Sequence, residues 1–235
     1  MQGHLYLIPT FLGHEEVEAV FPHYNIVLIE SLRYFVVEEL KTARRFIKRV
    51  CPQRSMEELI FFELNEHTPV TDIGNYLAPC LKGESVGVLS EAGVPCVADP
   101  GSLLVRQAHI HGIEVKPLIG PSSILLALMA SGLNGQNFAF VGYLPVDRRE
   151  RQKVIRQLEH RSWMENQTQC FMETPYRNLQ LFEDVVQTAH PDTLLCIASD
   201  LTLPSQRIVT QSIREWQKNK PDIHKHPAIF LLKKG

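Results

Sequence analysis

The fold class this sequence predicts is α/β, as two α/β domains: residues 1–118 with a mostly parallel sheet and residues 119–235 with a mixed one. Three observations lead there. Short apolar runs alternate with helix-like segments, the pattern of a sheet whose strands are joined by crossover helices. Two loops of small residues, Ser90 to Gly101 and Leu118 to Ser123, each follow a run that reads as buried strand. A second set of elements begins at Asn137, so the loop after Leu118 is the expected domain boundary.

Taken in order, Leu5–Ile8 is a short apolar run ended by Pro9, a strand opening into a loop, with a helix expected around Glu15–Phe21. Tyr34–Val37 is the next strand. Ala43, Phe46, Ile47 and Val50 recur at i, i+3, i+4 and i+7, one face of an amphipathic helix, which leaves Arg44, Arg45, Lys48 and Arg49 mostly off the core face. Leu59–Leu64 reads as strand and Asp72–Leu81 as helix; then come strand Val86–Leu89 and helix Leu103–His111, stopped by Gly112. Strand Ile113–Leu118 leads to helix Pro121–Ser131, with Pro121 suited to its first position and Gly132 ending it. Beyond Asn137 the pattern predicts a basic helix from Asp147 to Arg161, strand Gln169–Met172, helix Pro175–Thr188 and strands Thr193–Ala198 and Arg207–Thr210. A short helix near Ile213–Lys218 and a strand Ala228–Leu232 complete it.

The 235 residues suffice for a real core. A net charge of −2 gives no bulk attraction to polyanions, so a nucleic-acid partner would have to be met by a local basic patch. Five widely spaced cysteines without a CxxC pair suit a reducing compartment and argue against a disulfide framework or structural zinc. No histidine pair has the spacing of a helical zinc motif, and no metal is expected. The N-terminus lacks the basic and apolar regions of a signal peptide, and no window reaches the ~18 apolar residues of a membrane span. The expectation is a cytoplasmic protein with no membrane association.

Ligands of open α/β sheets bind outside the carboxyl ends of the strands, which is where the two small-residue loops fall. Gly93 and Gly120 would let the backbone come close to a ligand, and the free N–H groups after Pro121 could hold a carboxylate or hydroxyls. The pocket reads as nucleotide-like. Asp99 has two readings, as the cap of the following helix, worth ~1 kcal/mol, or as a ligand contact. No GxGxxG follows a strand and no GxxxxGK[ST] occurs, which argues against a nicotinamide enzyme and a P-loop hydrolase.

The loops and their order resemble the tetrapyrrole methylase family of S-adenosylmethionine-dependent methyltransferases, most closely its 16S ribosomal RNA ribose 2′-O-methyltransferase branch. The resemblance runs through Leu5 to Gly13, Ser90 to Gly101, Pro117 to Ser123, Ala130 to Leu133, Gly142 to Pro145 and Phe171 to Arg177, nearly the whole chain. It implies two α/β domains with S-adenosyl-L-methionine in the cleft between them, a homodimer, and 16S rRNA or the small ribosomal subunit as partner. It places Pro9, Leu12, Glu91, Ala92, Gly93, Val94, Ser122, Ser123, Leu144 and Met172 at the cofactor. Asp200-Leu201-Thr202 resembles a Glu-Leu-Thr tripeptide of that branch, while Glu39 to Arg44 and Leu203 to Gln206 depart from its pattern.

Methyl transfer from a sulfonium is an in-line displacement, so the protein has chiefly to align donor and acceptor and exclude water. A ribose hydroxyl is a poor nucleophile that a base would help; Glu39, His67 and Asp200 are the unranked candidates. Arg44, Asn65, Glu66 and His67 are the expected substrate contacts. The basic face of Arg44, Arg45, Lys48 and Arg49, and a second of Arg148, Arg149, Arg151, Lys153 and Arg156, are each either a solvated helix surface or a phosphate-docking patch. Two rivals stay open: a methyltransferase acting on a tetrapyrrole-like small molecule or another RNA, and a catalytically silent nucleotide- or RNA-binding module.

Overall fold

Five parallel strands, β1 (Leu5–Ile8), β2 (Tyr34–Val37), β3 (Ile60–Glu63), β4 (Val86–Leu89) and β5 (Val115–Pro117), pair in the order β3-β2-β4-β1-β5. The computed structural model describes residues 2–13, 16–65 and 67–235. Alternate side chains feed two apolar layers: Tyr6, Ile8, Phe35 and Val37 on one face, Leu5, Val36, Val86 and Val88 on the other. Among the described residues, α1 (Val17–Val20), α2 (His23–Ser31) and α3 (Leu40–Val50) lie along the first half of this unit. Ile29 of α2 and Ala43, Phe46, Ile47 and Val50 of α3 join the first layer, the α3 set being the one its spacing predicts. Each large apolar side chain so buried contributes about 1.5–3 kcal/mol. On the other face lie α4 (Val70–Ile73), a 3₁₀ turn at Gly74–Leu77, α5 (Ala78–Leu81) and α6 (Gly101–Ile110), through Ile73, Leu77, Cys80, Leu104 and Ala108.

Two elements differ from the sequence expectation. Helix α2 has no counterpart in it; Tyr24 and Val27 are exposed while Ile29 is buried, so the apolar residues ring the helix instead of striping it, and no 3.6-residue signal emerges. The expected Asp72–Leu81 helix is broken in three; Pro79, with no N–H to give and a ring that collides with the Asn75 carbonyl, accounts for the break before α5.

The chain divides into two compact units, Met1–Ser122 and Ser123–Gly235. The division falls after Ser122, not after Leu118, because residues 119–121 are tied to the first unit. Asn25, itself buried, donates Nδ2 to Ile119 O at 2.8 Å, and a Cβ on Gly120 would lie 2.4 Å from Pro9 Cβ. The same ties keep Pro121 outside the helix it was expected to begin: α7 is Ser123–Ser131.

In the second unit α7 precedes β6 (Phe138–Tyr143), α8 (Arg148–Met164), β7 (Thr168–Met172), a 3₁₀ turn at Pro175–Arg177, α9 (Asn178–Thr188), β8 (Leu194–Ser199), β9 (Arg207–Ser212), α10 (Ile213–Trp216) and β10 (Ala228–Lys233). The sheet order is β6-β7-β10-β8-β9, with β6 and β7 parallel and the remaining pairs antiparallel. Phe171, Ile197 and Phe230 meet α8 and α9 through Ile155, Leu158, Phe182 and Val185, while α7 packs on β8, β9 and β10.

The basic face expected on α8 is not a uniform surface. Arg151 is 1% exposed and gives Nε and Nη2 to Asp184 Oδ2 at 2.8 and 2.6 Å, and Nη1 to the carbonyls of Pro145 and Val146. Arg148 Nε reaches Asp184 Oδ1 at 2.9 Å. Helical spacing puts Arg151 toward the core, where Asp184 meets it. Arg151→Ala should lower unfolding free energy by about 3–5 kcal/mol, because the buried Asp184 loses its main partner; urea denaturation, with the exposed Arg149→Ala unchanged beside it, measures this.

Candidate functional site

At the carboxyl ends of β1, β4 and β5, three loops converge. Strands β1 and β4 are neighbours whose outgoing connections leave in opposite directions, β1 toward β2 and β4 toward β5, so a crevice opens between their ends. Thr10 N donates to Gly93 O at 2.8 Å, and Ser90 Oγ donates to the same carbonyl at 2.5 Å. Gly93 has φ +75, and a Cβ there would stand 3.0 Å from Leu12 Cδ2 and 3.2 Å from Pro121 O. Pro9, Leu12, Gly93 and the Gly120–Pro121 turn are thus brought together as the motifs predicted. Gly120 is required by Pro9, whose Cβ a side chain there would meet at 2.4 Å.

The rest of the Ser90–Gly101 loop is held by Asp99. Its two oxygens accept from Cys96 N and Gly101 N, both at 2.8 Å, in a segment where Cys96 and Ala98 adopt φ of +67 and +62. Burial pushes the Asp99 carboxyl up, opposed by those two N–H groups, and pushes the Cys96 thiol up to about 12. Asp99 thus ties the loop to the first N–H of α6, whose N-cap position is Pro100.

Glu39 caps α3, accepting from Lys41 N at 3.1 Å, Thr42 N at 2.8 Å and the Thr42 hydroxyl. The Thr42 hydroxyl is the main cause that holds the Glu39 carboxyl below its ordinary value. Glu91 lies beside this cap: burial raises its carboxyl, the Thr42 hydroxyl pulls it back, and the Glu39 charge raises it again. Thr42 thus links two of the predicted residues, a role the sequence did not signal. Arg44 is exposed, its guanidinium 5.5 Å from the centre of the Phe61 ring on β3. After β3, Asn65 Oδ1 accepts from His67 N at 3.0 Å, forming a turn with His67 exposed; Glu66 lies outside the described residues.

The remaining predicted residues belong to the second unit or to its border. Leu144 is part of the second core, and Met172 ends β7 opposite Tyr143 and Ile229. Ser123 begins α7, with Ser122 just before it. Asp200, 5% exposed and at φ +51, accepts from the Ser205 hydroxyl at 2.8 Å and meets His226 Nδ1 at 2.7 Å. Glu173, also buried, accepts from Thr174 N and Arg177 Nη2 at 2.6 and 2.7 Å. Nothing in the sequence around His226 separates it from a surface histidine, since a partner twenty-six positions away leaves no local pattern.

The profile of the family described as Tetrapyrrole (Corrin/Porphyrin) Methylases matches residues 27–217. The chain belongs to this family. A tetrapyrrole methylase relative named ribosomal RNA small subunit methyltransferase I from Escherichia coli O157:H7 is 26% identical over 98% of this chain and 78% of its own length. Proteins of the same name from Xylella fastidiosa and Thermotoga maritima are 34% and 29% identical, over 85% and 93% of this chain and 69% and 94% of their own. Among solved structures, the methyltransferase CobJ matches with a TM-score of 0.64 at 19% identity, covering 99% of this chain and 95% of that one. Uroporphyrin-III C-methyltransferase from Thermus thermophilus, solved with S-adenosylhomocysteine, matches with 0.58 at 16%, covering 99% and 98%. At these identities the structural likeness speaks for the fold.

The chain is therefore an S-adenosylmethionine-dependent methyltransferase. Its own residues suit that cofactor: the Glu91 carboxylate, peptide groups of a small-residue loop, and the aliphatic surfaces of Pro9, Leu12 and Val94 form a donor set for a nucleoside with an amino-acid tail.

Gly93→Ala should cost more than Gly112→Ala. Both place an L-residue at positive φ, a strain of roughly 1–2 kcal/mol, but Gly112 faces open space while Gly93 faces Leu12 and Pro121; denaturant unfolding of the two variants reads the difference. Glu39→Gln should destabilise at neutral pH and cease to do so in acid. The depressed carboxyl contributes stability above its unfolded value of 4.5, lost as pH falls through the lower folded one. Thermal midpoints of wild type and variant at pH 7 and about pH 3 test this.

Proposed function

We propose that this methyltransferase acts on a ribose 2′-hydroxyl of 16S ribosomal RNA. The convergence of the Pro9–Leu12, Ser90–Gly93 and Gly120–Pro121 loops at the carboxyl ends of β1, β4 and β5 carries the cofactor part of this reading. The relatives' name supports RNA as acceptor. So does α3, whose Arg44, Arg45, Lys48 and Arg49 are all exposed on the side opposite its core stripe. In a chain of net charge −2, such a patch is what a polyanion would find.

When bound, S-adenosylmethionine supplies an electrophilic methyl group on a sulfonium. Pro9, Leu12, Glu91, Ala92, Gly93, Val94 and Ser122 of the first unit hold it in this proposal. Glu91 offers its carboxylate to the ribose hydroxyls, and Leu12 and Val94 keep water from the sulfonium side. Arg44 and Asn65 orient the target nucleotide, with Glu66 beside them in sequence. In this proposal the hydroxyl proton goes to a ring nitrogen of His67, an exposed imidazole that follows β3 beside Asn65. A homodimer is part of the proposal, resting on the family resemblance and on Leu125 and Met129, 51% and 79% exposed one turn apart on α7.

Incubation with tritiated S-adenosylmethionine and small ribosomal subunits, naked 16S RNA or uroporphyrinogen should label RNA alone. Label in uroporphyrinogen would move the acceptor to a tetrapyrrole. Arg44, Arg45, Lys48 and Arg49 changed together to Ala should weaken RNA binding and reduce the log–log salt slope by about 0.7–0.9 for each phosphate no longer neutralised, with S-adenosylmethionine affinity unchanged by calorimetry. His67→Gln should lower the rate constant about 10²- to 10⁴-fold and leave both affinities in place. Light scattering that reports a monomer at micromolar concentration would remove the dimer.

A further inference from the structure

Helix α8 carries a feature that methyl transfer does not use. Arg156, His160 and Trp163 stand at i, i+4 and i+7, on one face of the helix, and with Glu159 and Lys234 they line an open pocket of about 430 Å³. That volume lies within the roughly 300–1,000 Å³ of small-ligand sites. Trp163 is 56% exposed, with the His160 ring centre 6.3 Å away. The other tryptophan, Trp216, is buried and gives its indole N–H to Leu195 O at 2.9 Å. Water-facing indole beside a pocket is a surface available for stacking.

The charges around it are arranged for an anion. Glu159 Oε1 accepts from His190 N at 2.7 Å and from the Thr193 hydroxyl, so its carboxylate is turned to the segment leading into β8. The ion pairs on the exposed side of α8, Lys153 with Glu150 and Arg161 with Glu165, leave out Arg156 and Lys234. Lys234 is anchored at its backbone, where N donates to Ser162 Oγ at 2.9 Å, one residue before Trp163. A planar apolar face lining the same pocket as two cations matches a base joined to a phosphate.

We propose that this pocket binds one unpaired nucleotide of an RNA strand, its base stacked on Trp163 and its phosphate between Arg156 and Lys234. The proposal rests on the RNA reading above and adds a second docking point, on the other unit from α3. The strand must be unpaired there, because a duplex keeps its base faces stacked.

Tryptophan emission of the full chain, titrated with a single-stranded uridine octamer, with its RNA duplex and with UMP, tests it. The octamer should quench emission, and the duplex and UMP should not at equal nucleotide concentration. Trp163→Leu should abolish the quench and weaken octamer binding, by anisotropy, roughly five- to a hundredfold, with the thermal midpoint unchanged. Arg156→Gln with Lys234→Gln should lower the salt slope by about 0.7. Equal quenching by UMP would make this a free-nucleotide site and overturn the strand assignment. If the octamer binds and the α3 substitutions weaken it while Trp163→Leu does not, the pocket falls and the RNA reading stands. Failure of octamer and ribosomal subunits alike to bind overturns both.

Discussion

The carbonyl of Gly93 is the constraint on which the N-terminal site depends. It accepts the Thr10 N–H and the Ser90 hydroxyl, filling both of its lone pairs from two loops eighty residues apart in sequence. The arrangement places Gly93 at φ +75, where a Cβ would press on Leu12 and Pro121. Because β1 and β4 are already paired along Leu5–Ile8 and Val86–Leu89, the loops that leave them are adjacent before any of these bonds form. Little further chain entropy is spent in joining them. Gly120 against Pro9, and Asn25 on Ile119 O, bring the third loop to the same place.

Carboxylates in this chain serve architecture more than their number in the sequence suggests. Glu39 satisfies the first N–H groups of α3, Asp99 satisfies two in a strained loop, Asp184 neutralises the buried Arg151, and Glu173 and Asp200 are each engaged below the surface. Free helix-start and loop N–H groups need acceptors, and an ionised one makes the stronger bond. On α3 the four cations face away from the core stripe, so a chain of slightly negative net charge still presents a locally positive helix face.

The periodicity of α3 and the apolar runs of β1, β2 and β4 are legible because each is a pattern within about ten residues. The same holds for the small-residue loops at strand ends, whose order along the chain is enough to suggest the family. Where the pattern is absent, the sequence misleads: α2 is apolar on all sides, and Pro79 interrupts what composition alone makes a continuous helix. Arg151 illustrates a subtler failure. Its position among Arg148, Arg149 and Lys153 marks a solvated face, yet its side chain is at the core.

Local sequence, then, settles which segments are strands and helices and which loops stand at strand ends, since period-2 and period-3.6 burial and the φ limits of Gly and Pro act within one element. It does not settle what each polar side chain does, because that depends on partners brought up by other elements. Asp184 lies thirty-three positions from Arg151, and Ile119 ninety-four from Asn25. Whether a glycine serves a ligand or a neighbouring proline, and whether a carboxylate is a base or a cap, follows from packing distances that exist only once the sheet has formed.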